Sequence, residues 1–297
     1  VAVAQFDPTN PIPQLRLTPV PTRLVQNPDG SLVEEAVRPA PCEVPSLDQC
    51  IEFAGTWPTN VFPTLNFSAP LTEASLSNGL RLYAVRAGGR LERIPTQATQ
   101  APRADPPSAC RSGDNGSGDP STSEDDLTFG QEQIDAAWGP EPYDVTLIPV
   151  DGDGNPTLLE PDTDYVVVAT DALEAQPSSE GGANRPVEPS ALFFLLNQDM
   201  PPVLEDGTIV NPTLRNQLQA GVLEVLFPET EIFELDAQQR QQLNAAVAVS
   251  GRDLFGLYRL FDASLQALIA NGELSDRTQA VMVNSWSTRV PTEVVFD

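Results

Sequence analysis

The sequence predicts an α+β fold: an antiparallel β-sandwich with a helical insertion before its last strand and an extended, proline-rich N-terminal arm. Three observations carry that expectation. First, residues 143–173 read YDVTLIPVDGDGNPTLLEPDTDYVVVATDAL, in which Tyr143, Val145, Leu147 and Pro149 alternate with Asp144, Thr146 and Ile148. A turn cluster follows at 151–156 and a β-branched run at 165–169. Two such runs around Gly, Asn and Asp predict paired antiparallel strands. Second, beyond residue 190 the apolar residues recur every three to four positions, the helical period. Third, prolines recur from Pro8 to Pro45. Each removes a ladder donor and fixes φ, which leaves no room for a long regular strand.

In chain order, residues 1–50 form the arm, in which 15–25 contributes one edge strand and Asn27-Pro28-Asp29-Gly30 a turn. Residues 51–196 form the sandwich. Strands are expected at 61–67 and 80–85, joined through a turn at 68–72, and Gly88-Gly89 ends the second. Residues 96–126, which include SGDNGSGDPSTSEDD, have the composition of a long polar surface loop. The paired strands follow, then a Gly/Pro/Ser loop at 176–189 and an apolar run at 191–196 that reads as a strand. Residues 197–278 are the helical insertion. Asn211-Pro212 places an N-cap before a proline at the first helical position, and Leu214, Leu218 and Val222 keep helical spacing. Asp236 with Gln239 caps a second helix to about Val249. Ser250 and Asp253 open a third, with Leu254, Leu257, Phe261, Leu265 and Leu268 on one face and Asn271-Gly272 at its end. Residues 279–297 hold the closing strand. Six or seven strands, with turns every 8–12 residues in the first half, match an immunoglobulin-like sandwich better than a barrel.

Composition limits what the chain can do. It has 297 residues, 42 acids and 16 basic residues, all of them arginine, for a net charge of −26. That field repels nucleic acid and anionic membrane surfaces and favours solubility or basic partners. No apolar run is long enough for a transmembrane helix. The opening Val1-Ala2-Val3-Ala4-Gln5 reads as the N-terminus left by signal-peptide cleavage. The proline-rich coil, the loop-rich β-character and the cysteine placement together point to a secreted or cell-surface protein. Cys42 and Cys50 flank the segment EVPSLDQ, close enough for a local disulfide, and Cys110 is left over.

The chain lacks histidine, so a Ser-His-Asp triad and imidazole general-base catalysis are excluded. It contains no G-x-S-x-G elbow and no phosphate-binding G-x-x-x-x-G-K-[ST] loop. The expectation is a protein that is not an enzyme and needs no cofactor. One acidic cluster leaves calcium open: Asp151, Asp153 and Asn155 stand at the alternating spacing of a calcium loop. Pro156 stands at the glycine position and Asp162 where the bidentate glutamate belongs, so a hydrogen-bonded turn is the other reading.

Several stretches resemble a known family. Trp57-Pro58-Thr59, NFSAPLTEASLSNGLRLYAV at 66–85 and YDVTLIPVDGDG with LLEPDTDYVVVATDAL resemble bacterial immunoglobulin-like modules. The layout also resembles the non-catalytic N-terminal region of bacterial extracellular lipases. The matching points are Phe6-Asp7-Pro8, Pro13 with Asp29-Gly30-Ser31-Leu32, the 66–85 block, and helix 254–270 leading into VMVNSWST at 281–288. The resemblance implies a sandwich fold and catalytic residues beyond Asp297, so that none is expected in this chain. Three roles follow: a structural or adhesive extracellular protein, an accessory region of a secreted hydrolase, and a calcium- or carbohydrate-binding module. The first is the leading expectation, with copies of itself or another extracellular protein as partner. Its assembly residues would be Val1, Val3 and Phe6 in one terminal run and Val294 and Phe296 in the other, each able to pair with an open sheet edge.

Overall fold

The computed structural model describes residues 1–6, 17, 19–23, 26, 57, 59–103, 135, 142–179, 181–227 and 232–288. Among them the strands are β1 (Ala2–Gln5), β2 (Thr64–Phe67), β3 (Leu80–Arg86), β4 (Arg90–Ile94), β5 (Thr96–Pro102), β6 (Tyr143–Pro149), β7 (Asp164–Thr170), β8 (Glu174–Ala175), β9 (Arg185–Pro189) and β10 (Ala280–Ser287). The helices are α1 (Glu73–Gly79), α2 (Ala191–Leu196), α3 (Pro212–Leu226) and α4 (Ala237–Ala270). One sheet has the order β5-β6-β2-β1-β9-β8 and the other β10-β7-β3-β4. The fold is therefore α+β, with one antiparallel sheet and one mixed sheet.

Each sheet is organised by an apolar strand. Every residue of β7 after Asp164 is buried, so this strand is covered on both faces. Such a run reads as continuous Val and Tyr rather than as alternation. Opposite it in β10, Trp286 faces Tyr165, with ring centroids 5.4 Å apart and planes at 20°. Both rings are buried, and offset stacking of this kind adds about 0.5–1.5 kcal/mol to the burial itself. In the other sheet β6 keeps strict alternation, with Val145, Leu147 and Pro149 buried. The chain passes from one sheet to the other between β4 and β5 through Pro95, whose carbonyl accepts from the Val150 N–H.

The chain divides into two compact units. One comprises Val1–Phe193 with Ala267–Asp297, and the other Phe194–Gln266. The second is helical, starting a few residues before the expected 197 and ending before 278. Its helix starts follow the local code. Asn211 accepts from the Leu214 N–H at 3.1 Å, with Pro212 at the first helical position. Asp236 and Gln239 form a reciprocal capping box, at 2.8 and 2.9 Å.

Six expectations are corrected. β6 and β7 do not pair: β6 lies between β5 and β2, while β7 lies between β10 and β3. The turn cluster closes only on itself, through a Val150–Pro156 bridge, and the chain then crosses to the other sheet. The expected sandwich is antiparallel throughout, but β1 runs parallel to β9. Residues so far apart in sequence have no hairpin to dictate direction. The polar stretch from 96 opens with strand β5, whose Thr/Gln/Ala alternation suits a half-exposed edge. Residues 104–126 lie outside the described residues. The 191–196 run is helix α2, with Ser190 Oγ accepting from the Phe193 N–H at 3.3 Å. A six-residue apolar run has no period that separates strand from helix. The expected second and third helices are one, α4, continuous through Ser250 and Gly251. Residues 176–189 are not all loop, since they contain β9.

Gly251 has a packing role. A Cβ there would meet the Gly207 carbonyl oxygen at 2.2 Å, and one on Gly207 (φ +87°) would meet the Ala248 carbonyl oxygen at 2.2 Å. The 203–209 turn, bridged at Val203–Ile209, thus lies backbone-to-backbone on α4. Gly251→Ala should raise helix propensity by about 1 kcal/mol. Overpacking against immovable backbone costs about 1–3 kcal/mol, so the expected net effect is a lower urea midpoint. A midpoint that rises by the full helix-propensity gain would show that the turn does not rest on the helix.

Candidate functional site

The residues singled out from sequence fall in three places. Cys42, Cys50, Val294 and Phe296 lie outside the described residues, as does Cys110. Val1, Val3 and Phe6 belong to the β1 segment, which is an interior strand of its sheet. Ala4 and Gln5 face Phe67 and Asn66 of β2, and 2–4 face Val187, Glu188 and Pro189 of β9. Val3 N–H donates to Ser68 Oγ at 2.8 Å, its carbonyl accepts from Ser68 N–H, and the Ala4 carbonyl accepts from Ser190 N–H. Ala2, Ala4 and Phe6 are buried, whereas Val1 is 65% exposed. Asp151, Asp153 and Asn155 make the third group. The Asp151 carboxylate accepts from the N–H groups of Asp153 and Asn155, both at 2.9 Å. These bonds, led by the one from Asn155, hold its pKa below the ordinary carboxylate value. The geometry is that of a self-capped turn. Among the described residues no three or more His, Cys, Asp or Glu side chains gather to hold a metal.

Sequence reasoning missed how the sheet edges are closed. Side-chain carboxamides resemble a peptide unit, with one carbonyl and one N–H group able to pair with a strand's backbone. Gln100 of β5 uses both on Leu71, accepting from its N–H and donating to its carbonyl, each at 2.8 Å. Leu71 also bridges Ala175 of β8, with Thr72 N–H bonded to the Glu174 carbonyl. The two ends of the six-stranded sheet, β5 and β8, therefore meet at one buried residue. Gln26 does the same at the β10 edge, bonding Ser287 N–H and carbonyl at 2.9 and 2.8 Å. Asn271 serves the β4 edge, accepting from Leu91 N–H at 3.0 Å and donating to the Gly89 carbonyl at 3.1 Å. No periodicity signals these contacts, because each joins residues far apart in sequence.

Next to the Gln100 contact a groove of about 900 Å³ opens beside β5. Its walls are Glu73, Leu76 and Ser77 of α1 and the corner 93–100, with Leu147 also in the lining. Arg93 donates to the Ser77 carbonyl at 3.1 Å, which ties the corner to the end of α1. Deeper interactions fix the strands. Arg103, largely buried, pairs with Asp144 at 2.8 Å, and Asn66 donates to the same carboxylate oxygen at 2.9 Å. Burial is the main cause that lowers the Arg103 pKa, partly opposed by Asp144. Tyr83, fully buried, donates to Glu273 at 2.6 Å; burial first and the Glu273 carboxylate second push its pKa up to about 12.

No family model, curated protein or solved structure matches the chain.

Two outcomes are expected from these contacts. Gln100→Leu leaves the buried Leu71 N–H without its acceptor, which costs about 1–3 kcal/mol and should lower the denaturation midpoint; a wild-type midpoint would show that the sheet ends do not depend on this side chain. Asp151 has a depressed folded-state pKa, so its contribution is present above the unfolded carboxylate's pKa and is lost as pH falls through the folded value. Amide exchange at Asp153 and Asn155, corrected for intrinsic rates, should accelerate over that acid window, and Asp151→Ala should show the faster rates already at neutral pH.

Proposed function

We propose that the chain is a non-catalytic extracellular structural or adhesive module, built on an immunoglobulin-like sandwich, that works by self-association through exchange of β1. The observation that carries this reading is the position of β1. It is an interior strand between β2 and β9, yet among the described residues the next strand begins only at Thr64, with 58 residues between it and Gln5. An exchanged β1 makes the same hydrogen bonds and buries the same side chains in a neighbour as in its own chain. Burying Phe6 contributes about 1.5–3 kcal/mol in either place, so exchange depends on concentration and on the linking segment. The segment VAVAQF also carries no acidic side chain, so its transfer brings no acidic side chain into a neighbour of net charge −26.

The immunoglobulin-like part of the reading is supported by Tyr165. Its hydroxyl accepts from Glu160 N–H at 2.7 Å and donates to the Glu160 carbonyl at 3.2 Å, five residues upstream. A tyrosine at a strand start that bonds back to the preceding corner is a device of Greek-key sandwiches.

Light scattering over a concentration series tests the proposal. The intact protein should form assemblies that grow with concentration. Protein lacking residues 1–6 should stay monomeric and bind the synthetic peptide VAVAQF in the vacated slot, with restored stability. An intact protein that is monomeric throughout the series would rule out self-association, whatever the peptide does.

A further inference from the structure

The groove beside β5 borders a strand edge that is sealed at one point and open next to it. Val150 N–H donates to the Pro95 carbonyl and Arg103 N–H to the Pro142 carbonyl, so the odd-numbered residues of this stretch bond toward β6. Thr96, Ala98 and Gln100 therefore turn their main-chain groups outward, toward the groove. At Gln100 the neighbouring backbone is Leu71, held through the glutamine side chain. The chain then enters α1 at Glu73 and leaves the edge. Among the described residues no strand lies beside Thr96 and Ala98, because β5 ends its sheet.

We propose that this groove binds an extended segment of a basic partner protein, which adds a strand along Thr96 and Ala98. An extended peptide is the occupant because the edge offers main-chain donors and acceptors at strand spacing, with Leu76 and Ala98 in the walls to receive alternate apolar side chains. Basic character follows from charge. The chain carries −26, and although Glu73 and Arg93 stand exposed with opposite charges in the groove wall, the field around them is that of the acidic chain. A cationic segment is steered in by that field. The volume, about 900 Å³, lies within the range of about 300–1,000 Å³ typical of ligand sites. This assignment goes beyond exchange of β1, and neither requires the other.

The test uses the intact protein and three eight-residue probes: alternating Val and Arg, the same peptide N-methylated at alternate residues, and alternating Val and Glu. Binding is read by fluorescence anisotropy, and its location by amide exchange at Thr96 and Ala98. The Val/Arg peptide should bind and protect both amides. N-methylation and Ala98→Pro should each weaken binding at least tenfold, and Glu73→Gln should weaken it several-fold. Four outcomes overturn the proposal: no binding; equal binding of the N-methylated peptide, which marks charge adsorption alone; equal binding of the Val/Glu peptide; or protection of Thr96 and Ala98 by self-association without any peptide. If Ala98→Pro does not fold, the comparison of the two Val/Arg peptides still decides.

Discussion

A strand at the end of a sheet carries N–H and C=O groups that need partners, and the satisfaction of those groups shapes this molecule. Gln100 and Leu71 show how. The six-stranded sheet curls until β5 and β8 reach the same short segment, which pairs with β8 by backbone and with β5 through one side chain. A side chain is longer than a peptide unit, so it closes the ends without continuing the ladder. Gln26 at Ser287 and Asn271 at Gly89 and Leu91 apply the same chemistry to the other sheet. Carboxamides suit the task in an acidic chain, since they accept and donate without adding charge.

The arginines divide by environment. Arg86 makes a two-pronged contact with Glu160, at 2.5 and 2.8 Å, and a third bond to Glu92 at 2.6 Å. These bonds raise its pKa, the Glu160 bond first, and they hold Glu160 below the ordinary carboxylate value. Both partners sit in solvent, where such pairs contribute little to stability. The planar fork nevertheless fixes the corner that holds the Tyr165 hydroxyl, because Glu160 supplies both contacts. Arg103 is the opposite case: its charge is withdrawn from water and depends on Asp144, so loss of the acid would leave a buried cation.

Much of the architecture was legible from local pattern. The alternation in 143–149, the β-branched run in β7, the Asn211-Pro212 start and the Asp236/Gln239 box all describe interactions within a few residues. What was not legible is pairing over distance. The tight punctuation at 151–156 suggested a hairpin, but a turn stabilised by its own Asp151 says nothing about where the following strand goes. Ser250 and Asp253 read as the opening of a separate helix, but the helix runs straight through them, and Gly251 within it is constrained by Gly207, 44 residues away. The candidate site was hidden for the same reason. Thr96 to Pro102 is polar and short of β-branched residues, and only its place beside β6, with Gln100 aimed at Leu71, makes it an edge.

The parallel pairing of β1 with β9 has a consequence for the order in which the protein takes shape. β2 is available soon after β1, but Val187 and its neighbours lie more than 180 residues later. At a synthesis rate of about 5–20 residues per second, roughly 10–40 s pass before β9 exists. For that interval the first strand has one flank covered and the other bare, and a ladder of such high contact order closes slowly even afterwards. Under the proposed exchange of β1, newly made chains close together would meet with these flanks unfilled, so crowding at birth would add to concentration in deciding whose strand ends in whose sheet.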